Sequence, residues 1–390
     1  MTALPILFVV GTRPEAIKIG PVVLAARQHD ALDPVLLASG QHREPVVQAL
    51  APFGLTPDVM LDLHRETGSL TELASLLFPA LDRQMEAIDP AVCVVHGDTI
   101  TASVAALVAF WRRIPVVHVE AGLRTGNLAA PFPEEGNRLI IDHLCALHLA
   151  PTDDAAANLR AEGIAGGHVL VTGNTVVDAI QYVAAQDLPY SDPRLRTLDH
   201  SDRRTVVVTV HRRESWGSPM RRILGAVREL AATHPDIDIV LPAHPNGDVR
   251  RLVEQELGET DRVLISDPLS YPDMARLLSR ASLVLTDSGG IQEEAPSFGA
   301  PVLVLRDTTE RPEAVAAGVA RLVGSDPDRI LAEASSALAS GGTLLPTPQS
   351  NPFGDGQAAH RSAQAIAWLL DRDVAPTAFG VKPALAAAAD

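Results

Sequence analysis

The sequence predicts an α/β protein with two open parallel sheets facing each other across a cleft, and three observations carry that prediction. Apolar runs rich in Val, Ile and Leu recur along the chain, each ending in Gly, Asp, His or Glu and leading into a helical pattern, as strand-loop-helix units do. These runs fall into two sets, with the polar stretch 186–204, QDLPYSDPRLRTLDHSDRR, between them. The chain has 390 residues, more than one ordinary core holds, and its 46% hydrophobic and 21% charged residues suffice to pack two.

Taken in order, residues 4–10 (LPILFVV), 34–38 (PVLLA), 91–95 (AVCVV), 115–119 (PVVHV) and 145–150 (CALHLA) are expected to form the first sheet. Residues 205–210 (TVVVTV), 237–242 (IDIVLP), 262–265 (RVLI), 282–286 (SLVLT) and 301–305 (PVLVL) are expected to form the second. The domain switch falls at Gly173-Asn174, where the strand HVLVTG ends, which gives domains 1–172 and 173–362. The stretch 186–204 reads as a surface insertion near the start of the second domain. A last helix, 363–375, has apolar positions at helical spacing and is expected to complete the first domain. Residues 376–390 read as a flexible tail.

The net charge of −16 argues against a nucleic-acid-binding surface and against a polybasic membrane anchor, but it leaves room for a local anion pocket. Cys93 and Cys145 cannot make a disulfide framework and read as core residues. The N-terminal segment shows no basic leader and its apolar run is too short to span a bilayer, so a soluble cytoplasmic protein is expected. Lysine occurs only at Lys18 and Lys382, which makes a lysine beside the first strand-helix turn noteworthy.

Ligands of open parallel sheets bind beyond the carboxyl ends of the strands, so the polar residues there are the candidates. After the first strand, GTRPEAIK supplies Arg13, Glu15 and Lys18 with Pro14 at the helix start, a turn suited to a diphosphate or simply a capped helix. HGDT places His96 and Asp98 at a strand end with Thr99 able to cap the next helix. HVEAGLRTG ends a wholly apolar strand in Glu120, whose carboxylate must be paired or used, and Arg124 is an available partner. AAPFPEEGNR adds Glu134, Glu135 and Arg138. In the second half, HRRES supplies His211, Arg212 and Arg213, and PAHPNGDVR supplies His244. The segment TDSGGIQEEAPSFGAPVLVLRDTTERPEA combines a phosphate-sized glycine turn, Ser288-Gly289-Gly290, with Arg306, Asp307, Glu310 and Arg311. The asymmetry suggests acid-base chemistry on one domain and anion binding largely on the other. No G-x-G-x-x-G, Walker lysine or Y-x-x-x-K pattern is present, which disfavours nicotinamide chemistry. Asp142, His143, Cys145 and His148 are metal-ligand types, but IIDHLCALHL lacks a convincing ligand spacing and no metal is expected.

Taken together, GTRPEAIK, VHGDT, HVEAGLRTGN with PFPEEGNR, VTGNTVVDA, HRRES, the TDSGG to RPEAV segment and NPFGDG resemble the non-hydrolysing UDP-N-acetylglucosamine 2-epimerases, in order from about residue 6 to 365. The resemblance implies a glycosyltransferase-B-type pair of Rossmann-like domains, usually homodimeric, that interconverts UDP-N-acetylglucosamine and UDP-N-acetylmannosamine without metal or nicotinamide. It implies acid-base or sugar-face roles for Asp98, Glu120 and Glu134, supported by Lys18 and Arg138, and a diphosphate contact for His211. By the same resemblance Arg13, Ser288, Gly289 and Gly290 are phosphate ligands, Glu294 a ribose ligand and Arg311 an orienting residue. Gln41, His42, Arg212 and His244 match parts of a second, regulatory site of some bacterial members. Asn127 and Ala130 stand where family members often carry Asp and Ser, and Glu44 and HRETGS depart from the regulatory pattern. A hydrolysing relative, an epimerase of another UDP-2-acetamido sugar, a glycosyltransferase and a UDP-sugar sensor are the alternative readings.

Overall fold

In the computed structural model the described residues are 2–164, 168–212, 215–340 and 351–380. Two compact units emerge, one of Met1–Ala179 with Gly354–Asp390 and one of Ile180–Phe353.

The first unit is built on a parallel sheet of β1 (Leu4–Val10), β2 (Leu32–Ala38), β3 (Val59–Met60), β4 (Val92–His96), β5 (Val116–Val119), β6 (Leu147–Ala150) and β7 (Val169–Val171). Their spatial order is β3-β2-β1-β4-β5-β6-β7, so the winding reverses between β1 and β4. Both faces are covered, which is why the central strands read as continuous apolar runs rather than as alternation. On one face Leu7, Val9, Cys93 and Val95 pack with Leu73, Leu77 and Leu81 of the helix Leu70–Ile88 and with Ala102 and Ala105 of the helix Ile100–Trp111. Each such leucine contributes about 1.5–3 kcal/mol by leaving water. The helix Ala358–Leu369 returns to this unit and packs on the helix Arg13–Arg27, and Asp178 caps it by accepting from Ala358 N (3.2 Å) and Ala359 N (2.8 Å).

The second unit repeats the scheme with β8 (Arg204–Thr209), β9 (Ile237–Pro242), β10 (Val263–Ser266), β11 (Ala281–Thr286), β12 (Val302–Val304) and β13 (Ala320–Leu322), again all parallel. The order β10-β9-β8-β11-β12-β13 places its reversal between β8 and β11. Val206, Val208, Leu283 and Leu285 meet Ile223, Val227 and Leu230 of the helix Ser218–Thr233 in its core.

Three expectations from the sequence change. The division between units falls inside the helix Thr175–Ala184 and the chain returns to the first unit at Gly354, whereas 172/173 and 362/363 were expected. The stretch 186–204 is not simply a surface insertion: Tyr190 and Leu195 are fully buried, and Arg276 stacks over the Tyr190 ring while pairing with Asp187 and Asp199. The expected tail is docked as far as it is described, since Phe379 N donates to Val171 O (2.8 Å) and Arg361 lies over the Phe379 ring. Lys382 and the rest of that tail lie outside the described residues, as does Arg213.

Candidate active site

Where β1 ends, a Cβ on Gly11 would stand 2.3 Å from Thr101 Oγ1, so only glycine lets the strand run this close to the helix Ile100–Trp111. Glu15, buried in the first turn of the helix Arg13–Arg27, accepts from Gly11 N (3.0 Å), Thr12 N (2.7 Å), Thr12 Oγ1 (2.8 Å) and Thr99 Oγ1 (2.7 Å). Thr99 in turn caps the helix Ile100–Trp111 by accepting from Ala102 N. One carboxylate thus ties together the turns after β1 and β4. Burial raises the proton affinity of Glu15, against the opposing pull of the Thr99 and Thr12 hydroxyls. Arg13 stands exposed at the first helical position, and Lys18, one turn on, reaches inward.

Strand β5 runs directly into Glu120, which holds a left-handed φ of 66°, a conformation a β-carbon disfavours and the surrounding structure must enforce. Its carboxylate pairs with Lys18 and accepts from Asn174 Nδ2 (3.2 Å), and His96 Nε2 lies 3.0 Å from its other oxygen without hydrogen-bond alignment. Burial opposes ionisation of Glu120, but Lys18 and then His96 outweigh it and hold the carboxyl well below the usual range. Asp98, two residues past β4, shows the reverse. Burial raises its pKa, Arg138 at 3.5 Å opposes the rise, and the charge of Glu120 adds to it.

The helix Glu134–Leu144 presents Glu134, Asn137 and Arg138 at one-turn spacing; Asn137 Nδ2 donates to Asp98 O (2.8 Å) and Arg138 approaches the Asp98 carboxylate. The two peptide bonds before Pro131 and Pro133 are cis. Glu135 lies 3.6 Å from Arg138 Nε and accepts from Thr125 N (3.0 Å) and Gly126 N (2.9 Å), pinning the preceding loop.

The Arg124 to Glu120 pair that the sequence left open does not form. Arg124 binds Asp142 and Glu162, each at 2.7 Å, because Glu120 turns towards Lys18 instead. The candidate metal types are otherwise engaged: Asp142 with His118, His148 with Asp142 O, His143 with Leu139 O and Cys145 with Ile141 O.

In the second unit Asp287, at the end of β11 and fully buried, organises the turn. It accepts from His211 N (3.0 Å), Arg212 N (2.9 Å) and Ser215 Oγ (3.0 Å), and lies 2.9 Å from His211 Nδ1. Burial opposes its ionisation, but these donors, His211 first, bring its pKa below the usual value. A carboxylate on Nδ1 fixes the imidazole orientation and leaves Nε2 for a ligand. Ser288 caps the short helix Gly289–Glu294, and a Cβ on Gly289 would stand 3.6 Å from Arg212 Nη2, so the glycine turn and a guanidinium adjoin. Arg311 is held by Glu293, Arg306 by Glu310 (2.6 Å), and Glu294 is buried at the helix end.

Of the residues expected in a second site, Gln41 accepts from Thr101 Oγ1 (2.8 Å) and His42 is exposed before the helix Arg43–Leu50, both in the first unit. Arg212 flanks Gly289, and His244 packs edge-on against Trp216 while its Nδ1 accepts from Asn246 N (3.1 Å). Sequence reasoning passed over Asp287, Asn137, Asn174 and the bridging role of Glu15. A carboxylate ending the apolar run ASLVLTD was a legible signal for Asp287; the others are visible only once distant strand ends adjoin.

The family profile described as UDP-N-acetylglucosamine 2-epimerase matches residues 24–367. The UDP-N-acetylglucosamine 2-epimerase of Escherichia coli K12 is 43% identical over 369 residues, covering 93% of this chain and 98% of its own. A crystal structure of a Listeria monocytogenes protein titled as a putative UDP-N-acetylglucosamine 2-epimerase superposes with a TM-score of 0.90 at 38% identity, covering 97% of this chain and 100% of that one. The Neisseria meningitidis enzyme, solved bound to UDP-GlcNAc, gives 0.79 at 38% identity over 94% of this chain and 100% of its own.

Proposed function

The chain belongs to the UDP-N-acetylglucosamine 2-epimerase family, and on that premise we propose that it interconverts UDP-N-acetylglucosamine and UDP-N-acetylmannosamine without releasing free sugar. It is an isomerase. The observation that supports the proposed chemistry most strongly is the split between Asp98 and Glu120, two adjacent carboxyls whose proton affinities are pushed in opposite directions.

The C2 hydrogen of the sugar has no neighbouring carbonyl, so a carboxylate alone is too weak a base to remove it. Breaking the C1–O bond solves this. As UDP departs with the bonding pair, C1 gains oxocarbenium character and the C2–H bond becomes acidic. A base takes the proton, the C–H pair becomes the C1=C2 double bond of 2-acetamidoglucal, and UDP adds back at C1 while a proton reaches C2 from the opposite face. Atoms balance without water, oxidant or reductant.

In this reading Asp98, with its raised proton affinity, moves a proton, while Glu120, kept ionised by Lys18, stabilises the cationic C1. Glu134 is the candidate for the second face, with Arg138 orienting Asp98. His211, aligned by Asp287, faces the departing phosphate oxygen. Arg13, Ser288, Gly289 and Gly290 hold the diphosphate, Glu294 the ribose, and Arg311 orients the site from its anchor on Glu293. A homodimer in the cytoplasm belongs to the same proposal. No helix among the described residues is long and apolar enough to cross a membrane.

The test is a proton NMR time course with UDP-N-acetylglucosamine in D₂O. UDP-N-acetylmannosamine carrying deuterium at C2 is the expected product. Free N-acetylmannosamine with UDP would assign the hydrolysing reaction instead, and an unchanged substrate would defeat the reading.

A further inference from the structure

We propose that His118 is a positioning residue for Asp98, its ring N–H gripping the Gly97 carbonyl and so setting where the Asp98 carboxylate stands. This rests on the proposed epimerisation, in which Asp98 moves a proton.

His118 is fully buried in β5, opposite Val95 of β4 and His148 of β6. Its Nε2 lies 2.7 Å from Gly97 O and its Nδ1 lies 2.6 Å from Asp142 Oδ1. A carbonyl can only accept, so Nε2 carries a proton and donates to Gly97 O, while Asp142 engages the other ring nitrogen and fixes the orientation of the ring. A histidine that merely fills core space needs no such pair of partners.

The ring is supported from behind. Asp142 Oδ2 receives Arg124 Nη2 (2.7 Å), and Arg124 in turn makes two 2.7 Å bonds to Glu162. A file of paired polar groups, Glu162, Arg124, Asp142 and His118, runs inward and ends on one backbone carbonyl. Such a file is costly to bury unless every member is satisfied, and here the terminal satisfaction falls beside a proposed proton carrier.

Gly97 holds a φ of 66°, and its N–H donates to Val119 O (3.1 Å). His118 fixes its carbonyl and Asn137 fixes the Asp98 carbonyl (2.8 Å), so both carbonyls that bracket the Asp98 Cα are held. Rotation of the 97–98 peptide would swing the carboxylate directly. Asn137 and Asp142 both sit on the helix Glu134–Leu144, so the same clamp registers Asp98 against Glu134 and Arg138.

Two substitutions separate the ring atoms. Asn at 118 keeps a donor near the Nδ1 position and loses the Gly97 grip; Gln keeps a donor near Nε2. For His118→Asn we expect kcat to fall roughly 10²-fold, the cost of about 1 Å of misplacement, with KM and UDP affinity unchanged within about threefold. His118→Gln should recover to within about tenfold of wild type. In the wild-type enzyme, ¹⁵N spectra of the His118 ring should show Nε2 carrying a proton. Wild-type kcat in a folded His118→Asn, a His118→Gln no better than His118→Asn, or an Nε2 without its proton would each overturn the role. If His118→Asn does not fold, the ring spectrum and His118→Gln decide on the same terms. An inert wild type would remove the epimerase reading and this role together, whereas an active wild type with an unaffected variant removes this role alone.

Discussion

At the switch point of the first sheet, between β1 and β4, the strand ends present Glu15 and Asp98, with Glu120 one strand further on; at that of the second, between β8 and β11, they present His211, Asp287 and Ser288-Gly289-Gly290. The wiring is the same and the chemistry is not. In the first unit the two acids differ in proton affinity, half-buried Asp98 raised and buried Glu120 lowered, so one can exchange a proton while its neighbour stays charged. In the second unit Asp287 is saturated by donors and serves to aim His211, and the neighbouring turn is glycine with a guanidinium beside it. Parallel sheets of one topology thus supply either reactivity or grip, according to which side chains end their strands.

Breaking the reactive side should leave the grip intact. Glu120→Gln is expected to lower turnover roughly 10²–10⁴-fold while UDP affinity, measured by calorimetry, stays at the wild-type value. Lys18→Met removes the principal partner of a buried carboxylate and should cost about 3 kcal/mol in urea unfolding of the protein. Breaking the grip should do the converse. Gly289→Asp places a carboxylate at the glycine turn and should weaken UDP binding about 10- to 100-fold, with turnover at saturation far less affected. The mildest change sharpens the split itself. Arg138→Met withdraws the positive charge that restrains Asp98, so its pKa rises further. A base is active only when ionised, so the acid limb of kcat/KM should move to higher pH.

Most of this architecture was legible in the residues because strands buried on both faces leave unbroken apolar runs. β3 (Val59–Met60) and β13 (Ala320–Leu322) escaped notice since two or three residues at a sheet edge leave no such run. Tyr190 and Leu195 were hidden inside a charged, proline-bearing stretch whose ion pairs with Arg276 close only after folding. In the site, strand-end position exposed Asp98, Glu120 and the Ser-Gly-Gly turn. The partners did not follow from proximity in sequence. Arg124, four residues from Glu120, turns to Asp142 and Glu162, while Lys18, a hundred residues away, takes the carboxylate. Parallel crossovers bring distant strand ends together, and pairings across them have no local signal.

The central claim is that Asp98 of the first unit moves the proton at C2, a role separable from holding the nucleotide. It is tested most directly by following deuterium wash-in at C2 of UDP-N-acetylglucosamine under single-turnover conditions, with wild-type and Asp98→Asn protein in excess. The account predicts wash-in slowed at least about 10²-fold in the variant with the substrate fully bound. Wash-in at the wild-type rate would contradict it.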